Sequence, residues 1–410
     1  MNLEYFIATR LVASKDHKSN VSAPIIKIAI SAVALGIIMM IVSVATGIGL
    51  QKKIREKVSA FNGHIIISNY NDNQSDVSIE PLSINQKFYP KFTEVTGIKH
   101  VQAVASKAGI IRTEKAFEGI IFKGVGKDYA WENLKEYLTE GRLPNNKAQL
   151  NNEILISKYL CNRLSLKLGD EFVTYFMKEE SQGYNLRNFK IVGIYDSGFQ
   201  EFDSAYIIGD IRHVQKINKW SKNQIGSFEV FVDDFDEIES KGREVYSETS
   251  STLDSQTIVE KFYYIFEWLK LFDFNIIIII MIMVTVSTVN MVVALLVIIL
   301  ERTKTIGILK ALGANNFSIR KVFLYNAFYL ISKGLLIGNL IGITLLFLQK
   351  HFGLIKLNPE NYYVNVAPVD ISLTNILLIN ISTLFICLLV LIVPSYLVTK
   401  ISPSKTIRFE

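Results

Sequence analysis

Residues able to do chemistry are present in this 410-residue chain, but their spacing does not assemble them into a reacting site. The segment GVGKDY from Gly124 comes nearest to a phosphate cradle. It lacks the glycine-to-glycine span of a nucleotide-binding loop and the hydroxyl residue that should follow the lysine. The five histidines, His17, His64, His100, His213 and His351, show no metal-protease or paired spacing, and no serine stands in a G-x-S-x-G turn. Asp233, Asp234, Asp236, Glu237 and Glu239 lack the alternating order and central glycine of a calcium loop. They read instead as the solvated start of a helix, where the dipole favours acids. Cys161 and Cys387 have no neighbour at redox or metal-ligand spacing, so neither a disulfide nor a metal is expected. These patterns predict a non-catalytic chain with no cofactor of its own.

Half of the residues are hydrophobic, and they gather in long charge-free runs. Ile28 to Leu50 and Phe274 to Leu300 are 23 and 27 residues without a charge. At about 1.5 Å per residue, each run is long enough for a hydrocarbon core of about 30 Å. Residues 322–348 and 371–399 complete a set of four expected spans. The first reads as an uncleaved anchor, because it exceeds a secretory hydrophobic region and no small-residue cleavage pattern follows. Residues 4–15 predict a short interfacial helix before it. The formal charge of +6 is unevenly placed. Residues 1–27 carry four Lys/Arg against two acids, 301–321 five against one, and the tail from Thr399 three against one, whereas 51–273 is nearly neutral. That distribution predicts cytoplasmic termini and gives no nucleic-acid footprint.

Lys333 falls well inside the third expected span, where a charge is costly and usually faces protein or water. Two readings follow. The amine lines a cavity between subunits, near a lipid phosphate or Asn290, or it snorkels to the headgroups. In the first span the small residues Ala32, Ala34, Gly36, Ser43, Ala45 and Gly47 permit close helix approach. This crowding predicts a subunit interface and an entry for lipid anchors at Gly36, Ser43 and Gly47. Pro394 removes one helix bond near the end of the fourth span.

The loop ERTKTIGILKALGANNFSIRK, residues 301–321, alternates cations with apolar residues at helical spacing. Gly313 stands where a left-handed helix end wants glycine, and Asn315 can cap the next helix. The loop resembles the one between the second and third spans of FtsX/MacB-type ABC transporter permeases. In that family it is a coupling helix docked on a separate ATPase. The resemblance implies ATPase contacts around Glu301, Arg302, Ile306, Gly307, Leu309, Lys310 and Gly313, with ATP and Mg bound by the partner chain.

Between the first two spans, from His64 onward, short alternating or β-branched runs are punctuated by Gly, Pro, Asn and Asp. HIIIS, VQAVAS, GIIRT, GIIFKGV, EFVTYFM, FKIVGIY and SAYIIG read as strands. Glu153 to Leu166, Asp210 to Lys219 and Asp236 to Ser247 read as helices. The fold class expected is a four-span α-helical membrane protein with a large α+β domain at 51–273, followed by a short outer loop at 349–370.

Several strings, among them GIIFKGVGKDYAWENLKEYLTEGRLP and NFKIVGIYDSGFQEFDSAYIIGDIRHVQKI, resemble the periplasmic domain of the LolC/LolE lipoprotein-releasing permeases. So do the opening FIATRLVASK and the later LIKLNPENYYVNVAPVDIS. The resemblance covers essentially the whole chain. It implies a bacterial inner-membrane permease that pairs with a second copy or a related permease. An ATPase dimer of the LolD kind would drive lipoprotein extraction, and a periplasmic carrier of the LolA kind would receive the product. Within that family a hairpin hook holds the carrier. Here it would use Met177, Tyr184, Leu186 and Arg187, although the tip lacks the family's prolines. Alternatives are an FtsX-like regulator that transmits conformation, or a MacB-like efflux permease. Chains of the latter type carry a fused N-terminal ATPase, whereas 27 residues precede the first span here.

Overall fold

The computed structural model describes Glu4 and residues 22–401, apart from 73–74, 115, 146–149 and 179–182. The interfacial helix expected at residues 4–15, apart from Glu4, and the tail from 402 lie outside the described residues. The chain begins with α1 (Ser22–Asn62), β1 (Ile65–Asn69), β2 (Leu82–Ser83), β3 (Ile98–Arg112) and β4 (Phe117–Val125). There follow β5 (Leu138–Gly141), β6 (Glu153–Ser157), α2 (Lys158–Leu164), β7 (Glu171–Met177) and β8 (Tyr184–Tyr195). Next come β9 (Tyr206–Asp210), α3 (Ile211–Ile217), β10 (Gln224–Ile225), β11 (Ser227–Val232), α4 (Ile238–Glu248) and β12 (Leu253–Thr257). The last part holds α5 (Tyr263–Glu301), α6 (Thr303–Ala311), α7 (Asn316–Phe352), α8 (Leu373–Ser395) and α9 (Leu397–Lys400). Two compact units result. One comprises Met1–Gln51, Trp268–Lys356 and Val366–Glu410, and the other Lys52–Glu267 with Leu357–Asn365.

Four helices are long and apolar enough to cross a membrane, Pro24–Asn62, Tyr263–Glu301, Asn316–Phe352 and Leu373–Lys400, and the first unit is built on their residues 24–51, 268–301, 316–352 and 373–400. Lipid tails are as apolar as leucine, so packing between such helices relies on close backbone approach and polar contacts. Gly334 and Gly338 of α7 supply the first. A Cβ at Gly334 would lie 2.7 Å from the Val33 side chain, and one at Gly338 would lie 2.7 Å from the Ala34 carbonyl oxygen on α1. Asn339 and Asn380 supply the second, each amide donating to the other's Oδ1 at 2.6 and 2.9 Å between α7 and α8. Pro394 lies inside α8, which ends one residue later, and the chain resumes as α9 after Tyr396.

The second unit is organised by β3, whose residues 98–104 pair with β11 and 104–112 with β4. β7 pairs with both β3 and β8, which closes β3, β4, β9, β6, β8 and β7 into a ring. Aromatic side chains fill it: Phe122 stacks on Phe189 with centroids 4.9 Å apart, and Phe176 meets both rings edge-on. β11, β1 and β12 continue the sheet beyond the ring on the far side of β3.

Two sequence expectations are corrected here. VQAVAS and GIIRT form one strand rather than two, because Lys107 and Ala108 between them stay in register with Phe122 and Ile121. Glu153 to Leu166 is not one helix. Its first five residues form β6 between β8 and β9, with Ile154, Leu155 and Ile156 buried, and the helix begins at Lys158. Ser157 makes the switch, its hydroxyl accepting from the Leu160 N–H at 3.0 Å as an N-cap.

A buried ion pair ties the end of α1 to this sheet. The Lys123 amine donates to Glu229 and to the carbonyl of Phe61. Gln102 donates to the other Glu229 oxygen at 2.8 Å and accepts from the Ala130 N–H at 2.8 Å. Four residues before Phe61, the Lys57 amine donates to the carbonyls of Ser197 and, at 2.9 Å, Tyr363. Burial is the main reason its pKa falls from 10.5 to about 8, with the nearby Lys53 charge adding to the effect.

Removing one partner of a buried pair leaves a bare charge, so Lys123→Met should lower stability by about 3 to 5 kcal/mol. Adding Glu229→Leu should recover most of that loss. Thermal melts of the detergent-solubilised chain check this, and a Lys123→Met protein as stable as wild type would refute the assignment. Lys57 gives a pH dependence. Below about pH 8 both folded and unfolded states hold the proton, and burial costs the folded state. Between about 8 and 10.5 only the unfolded state retains it, so stability rises with pH. Across that window the melting temperature of wild type should therefore climb relative to Lys57→Met, and parallel curves would contradict the burial of the amine.

Candidate functional site

The loop between α5 and α7 folds as helix α6, closed by Gly313 at φ 92°. The Ala314 N–H returns to the Leu309 carbonyl at 2.9 Å and the Gly313 N–H to Lys310 at 3.0 Å, which satisfies the last turn. Asn315 then caps α7 by accepting from the Ser318 N–H at 2.7 Å. Thr303 bonds back to the carbonyls of Ile299 and Leu300, so α6 turns away from α5 without an unpaired hydroxyl. A short helix, closed at its C-terminal turn and joined to a long helix at each end, is the result.

Orientation of α6 differs from the sequence expectation. Ile306 is 1% exposed and Gly307 is also buried, and Ile306 packs in one cluster with Ile319 and Phe323 of α7 and Val398 of α9. Leu309 is half-buried against the same cluster. These three therefore face the interior of the helical unit rather than a partner, contrary to the expectation. The outward stripe is Lys304, Ile308 and Leu312, with Ile308 54% and Leu312 80% exposed, and Phe317 lies exposed at the start of α7. Their spacing of four residues was legible, but Ile306, Leu309 and Leu312 form an equally regular set. Lys304 stands on the outward stripe, but Lys310 follows Ile306 at the same spacing on the inward one, so the cations do not separate the two faces in the sequence. Glu301 and Gly313 are exposed and Arg302 half-buried.

Lys310 is also placed otherwise than expected. Its amine donates to the carbonyls of Val398 at 2.7 Å, Thr399 at 3.4 Å and Ile401 at 2.7 Å. Ten residues on, Arg320 donates to Ser395 Oγ at 3.2 Å, and its guanidinium lies 3.8 Å from the Tyr396 ring centroid.

Gly36 and Gly47 are buried against α5 of the same chain, facing Ser287 and Ile276. Their close approach is intramolecular, which corrects the expectation that they face a second subunit. Ser43 is half-buried, and its carbonyl accepts from Thr46 at 3.3 Å. Asn290 donates to the Val286 carbonyl at 2.8 Å, whereas Lys333 is exposed with its amine 4.4 Å from the centroid of Tyr329. The structure thus gives Lys333 and Asn290 different partners. The glycine stripe that meets α1 from α7, Gly334 and Gly338, stands in the sequence as a G-x-x-x-G repeat.

In the second unit β7 and β8 form a hairpin paired from Glu171 with Lys190 to Met177 with Tyr184. Met177, Tyr184 and Leu186 are all exposed, and Tyr175 meets Tyr184 edge-on at 6.0 Å. Cross-strand pairing puts these apolar groups on one face of the ribbon. The Lys178 N–H donates to the Gly183 carbonyl at 3.2 Å, and Arg187 donates to the Leu186 carbonyl at 3.2 Å. The tip, 179–182, lies outside the described residues. No group of three or more His, Cys, Asp or Glu side chains able to hold a metal occurs among the described residues.

Comparison with known proteins agrees with this architecture. Residues 28–245 match the MacB-like periplasmic core domain and residues 277–403 the FtsX-like permease C-terminal domain. The chain is 24% identical to the lipoprotein-releasing system transmembrane protein LolC of Buchnera aphidicola, over 94% of both chains. It is 21% identical to LolE of Haemophilus influenzae, over 99% of both. Among solved structures, the periplasmic region of MacB from Actinobacillus actinomycetemcomitans aligns at 17% identity and a TM-score of 0.33, covering 48% of this chain and 88% of that one. With an α+β core inserted between its first two spans and a matching permease segment at its C-terminal end, the chain belongs to the FtsX-like permeases that carry a MacB-like periplasmic core.

Proposed function

We propose that this inner-membrane permease is the membrane subunit of an ABC transporter that draws lipoproteins out of the inner membrane for sorting to the outer membrane. The reading rests on end-to-end similarity to lipoprotein-releasing permeases, and the observation that carries its mechanism is the outward apolar stripe of α6. ATP and Mg are bound by a separate cytoplasmic ATPase dimer, which docks on Lys304, Ile308, Leu312 and Phe317. The closed C-terminal turn of α6 and its short joints to α5 and α7 support this, since a push on so short a connection is delivered to the spans rather than absorbed by a loop. Both termini lie on the cytoplasmic side, as the excess of cations there supports. A second permease, either another copy or a related chain, completes the pathway.

Lipid-anchored substrates explain why such work is needed. Each buried CH₂ of an acyl chain holds the anchor in lipid by about 0.8 kcal/mol, so a multiply acylated protein does not leave the bilayer unaided. Outside the membrane, the exposed face of Met177, Tyr184 and Leu186 is suited to a carrier with an apolar mouth, whereas Arg187, which pairs with Thr174, lies on the opposite face of the ribbon.

Tagged protein should co-purify with its ATPase, and proteoliposomes holding both should release lipoprotein only with ATP. Permease and ATPase that hydrolyse ATP while releasing none would refute the reading. Ile308→Glu or Leu312→Glu should weaken ATPase binding by roughly tenfold or more, as at the centre of a protein interface. Leu309→Glu should instead disturb folding, because that side chain packs inward. If neither outward substitution affects docking, the contact lies elsewhere. At the hairpin, Tyr184→Ser with Leu186→Ser should reduce capture of a LolA-type carrier by about tenfold. Extraction into detergent should persist in that variant, and undiminished carrier binding would remove the hairpin from the pathway.

A further inference from the structure

We propose that Lys310 is a positioning residue that fastens the coupling helix to the end of the fourth span, so that a push on α6 reaches α8 directly. The inference rests on the permease reading above. Sequence order joins α6 only to α5 and α7, and the fourth span begins some sixty residues later. The link to it is therefore tertiary.

The last carbonyls of a helix have no intrahelical donor and carry the negative end of its dipole. At the end of α9 one ammonium with three donors reaches the carbonyls of Val398, Thr399 and Ile401, the first of which also accepts from the Ile401 N–H at 3.4 Å. These contacts are to backbone, so they hold the path of the chain rather than any one side chain. Arg320, on the first turns of α7, grips the same segment from its other end through Ser395 and the ring of Tyr396. The two cations flank the break that follows Pro394. A helix interrupted there would bend instead of transmitting load, and the grip on both sides of the interruption stiffens it. An amine engaged with three carbonyls of its own chain is also poorly placed to act as a free contact for another protein.

The complete assembly, with its ATPase and reconstituted in proteoliposomes, can test this. Lys310→Met keeps the aliphatic stem and removes the donors, whereas Lys310→Arg restores them. In Lys310→Met the ATPase should remain bound and hydrolysis should continue. Lipoprotein released per ATP should fall by roughly tenfold, the usual scale of coupling between two sites. Lys310→Arg should return the ratio to near the wild-type value. A spin label on Leu397→Cys should be more mobile in Lys310→Met than in wild type. An unchanged ratio overturns the proposal, and so does loss of the ATPase from the complex, which would make Lys310 a docking contact. If wild type itself releases no lipoprotein, the permease reading fails, and the label decides the clamp alone, with unchanged mobility overturning it. Should Lys310→Met not insert, Lys310→Gln is assayed against the same criteria.

Discussion

Lys123 carries an amine into the dry interior of the β-rich unit, and desolvation there opposes its charge. Glu229 offsets that cost, and Gln102 holds the carboxylate in place from the neighbouring strand. What the pair gains for the fold is a cation at the carbonyl of Phe61, at the end of the helix that begins as the first span. Phe61 also stacks on Phe202 at 4.9 Å, so the end of α1 is held by charge on one side and by aromatic packing on the other. Substituting the pair with apolar residues could match its stability, since buried ion pairs seldom stabilise more than well-packed hydrocarbon. It would not reproduce the directional hold on a backbone carbonyl.

The same device recurs. Lys57 holds the carbonyls of Ser197 and Tyr363, and Lys310 those at the end of α9. In each case a long, flexible side chain reaches backbone carbonyls at a point where secondary structure stops. Lysine suits this use because its donors rotate freely and its stem packs as an apolar chain. Such contacts join segments far apart in sequence, and they leave no periodic trace there.

That explains what could be read in advance. The four spans were legible because length and absence of charge are local properties, and the turn at Gly313 followed by the Asn315 cap was legible for the same reason. The inner and outer faces of α6 were not separable, since Ile306 with Leu309 and Ile308 with Leu312 fit helical spacing equally well. Only the packing of Ile306 against Ile319 and Phe323 decides between them. Residues 153–157 read as helix because a buried strand and a helix start are both apolar there; pairing with β8 and β9 makes the difference. The first-span glycines were recognised as sites of close approach, but the partner is α5 of the same chain, which spacing alone cannot name.

One contact in the membrane-spanning unit limits how it can move. Asn339 and Asn380 exchange hydrogen bonds between α7 and α8, where hydrocarbon offers no substitute partner. An axial slip of one residue, about 1.5 Å, would draw both amides away from each other at once. The pair therefore resists axial shear between α7 and α8, and it does so at a single level of the membrane-spanning unit.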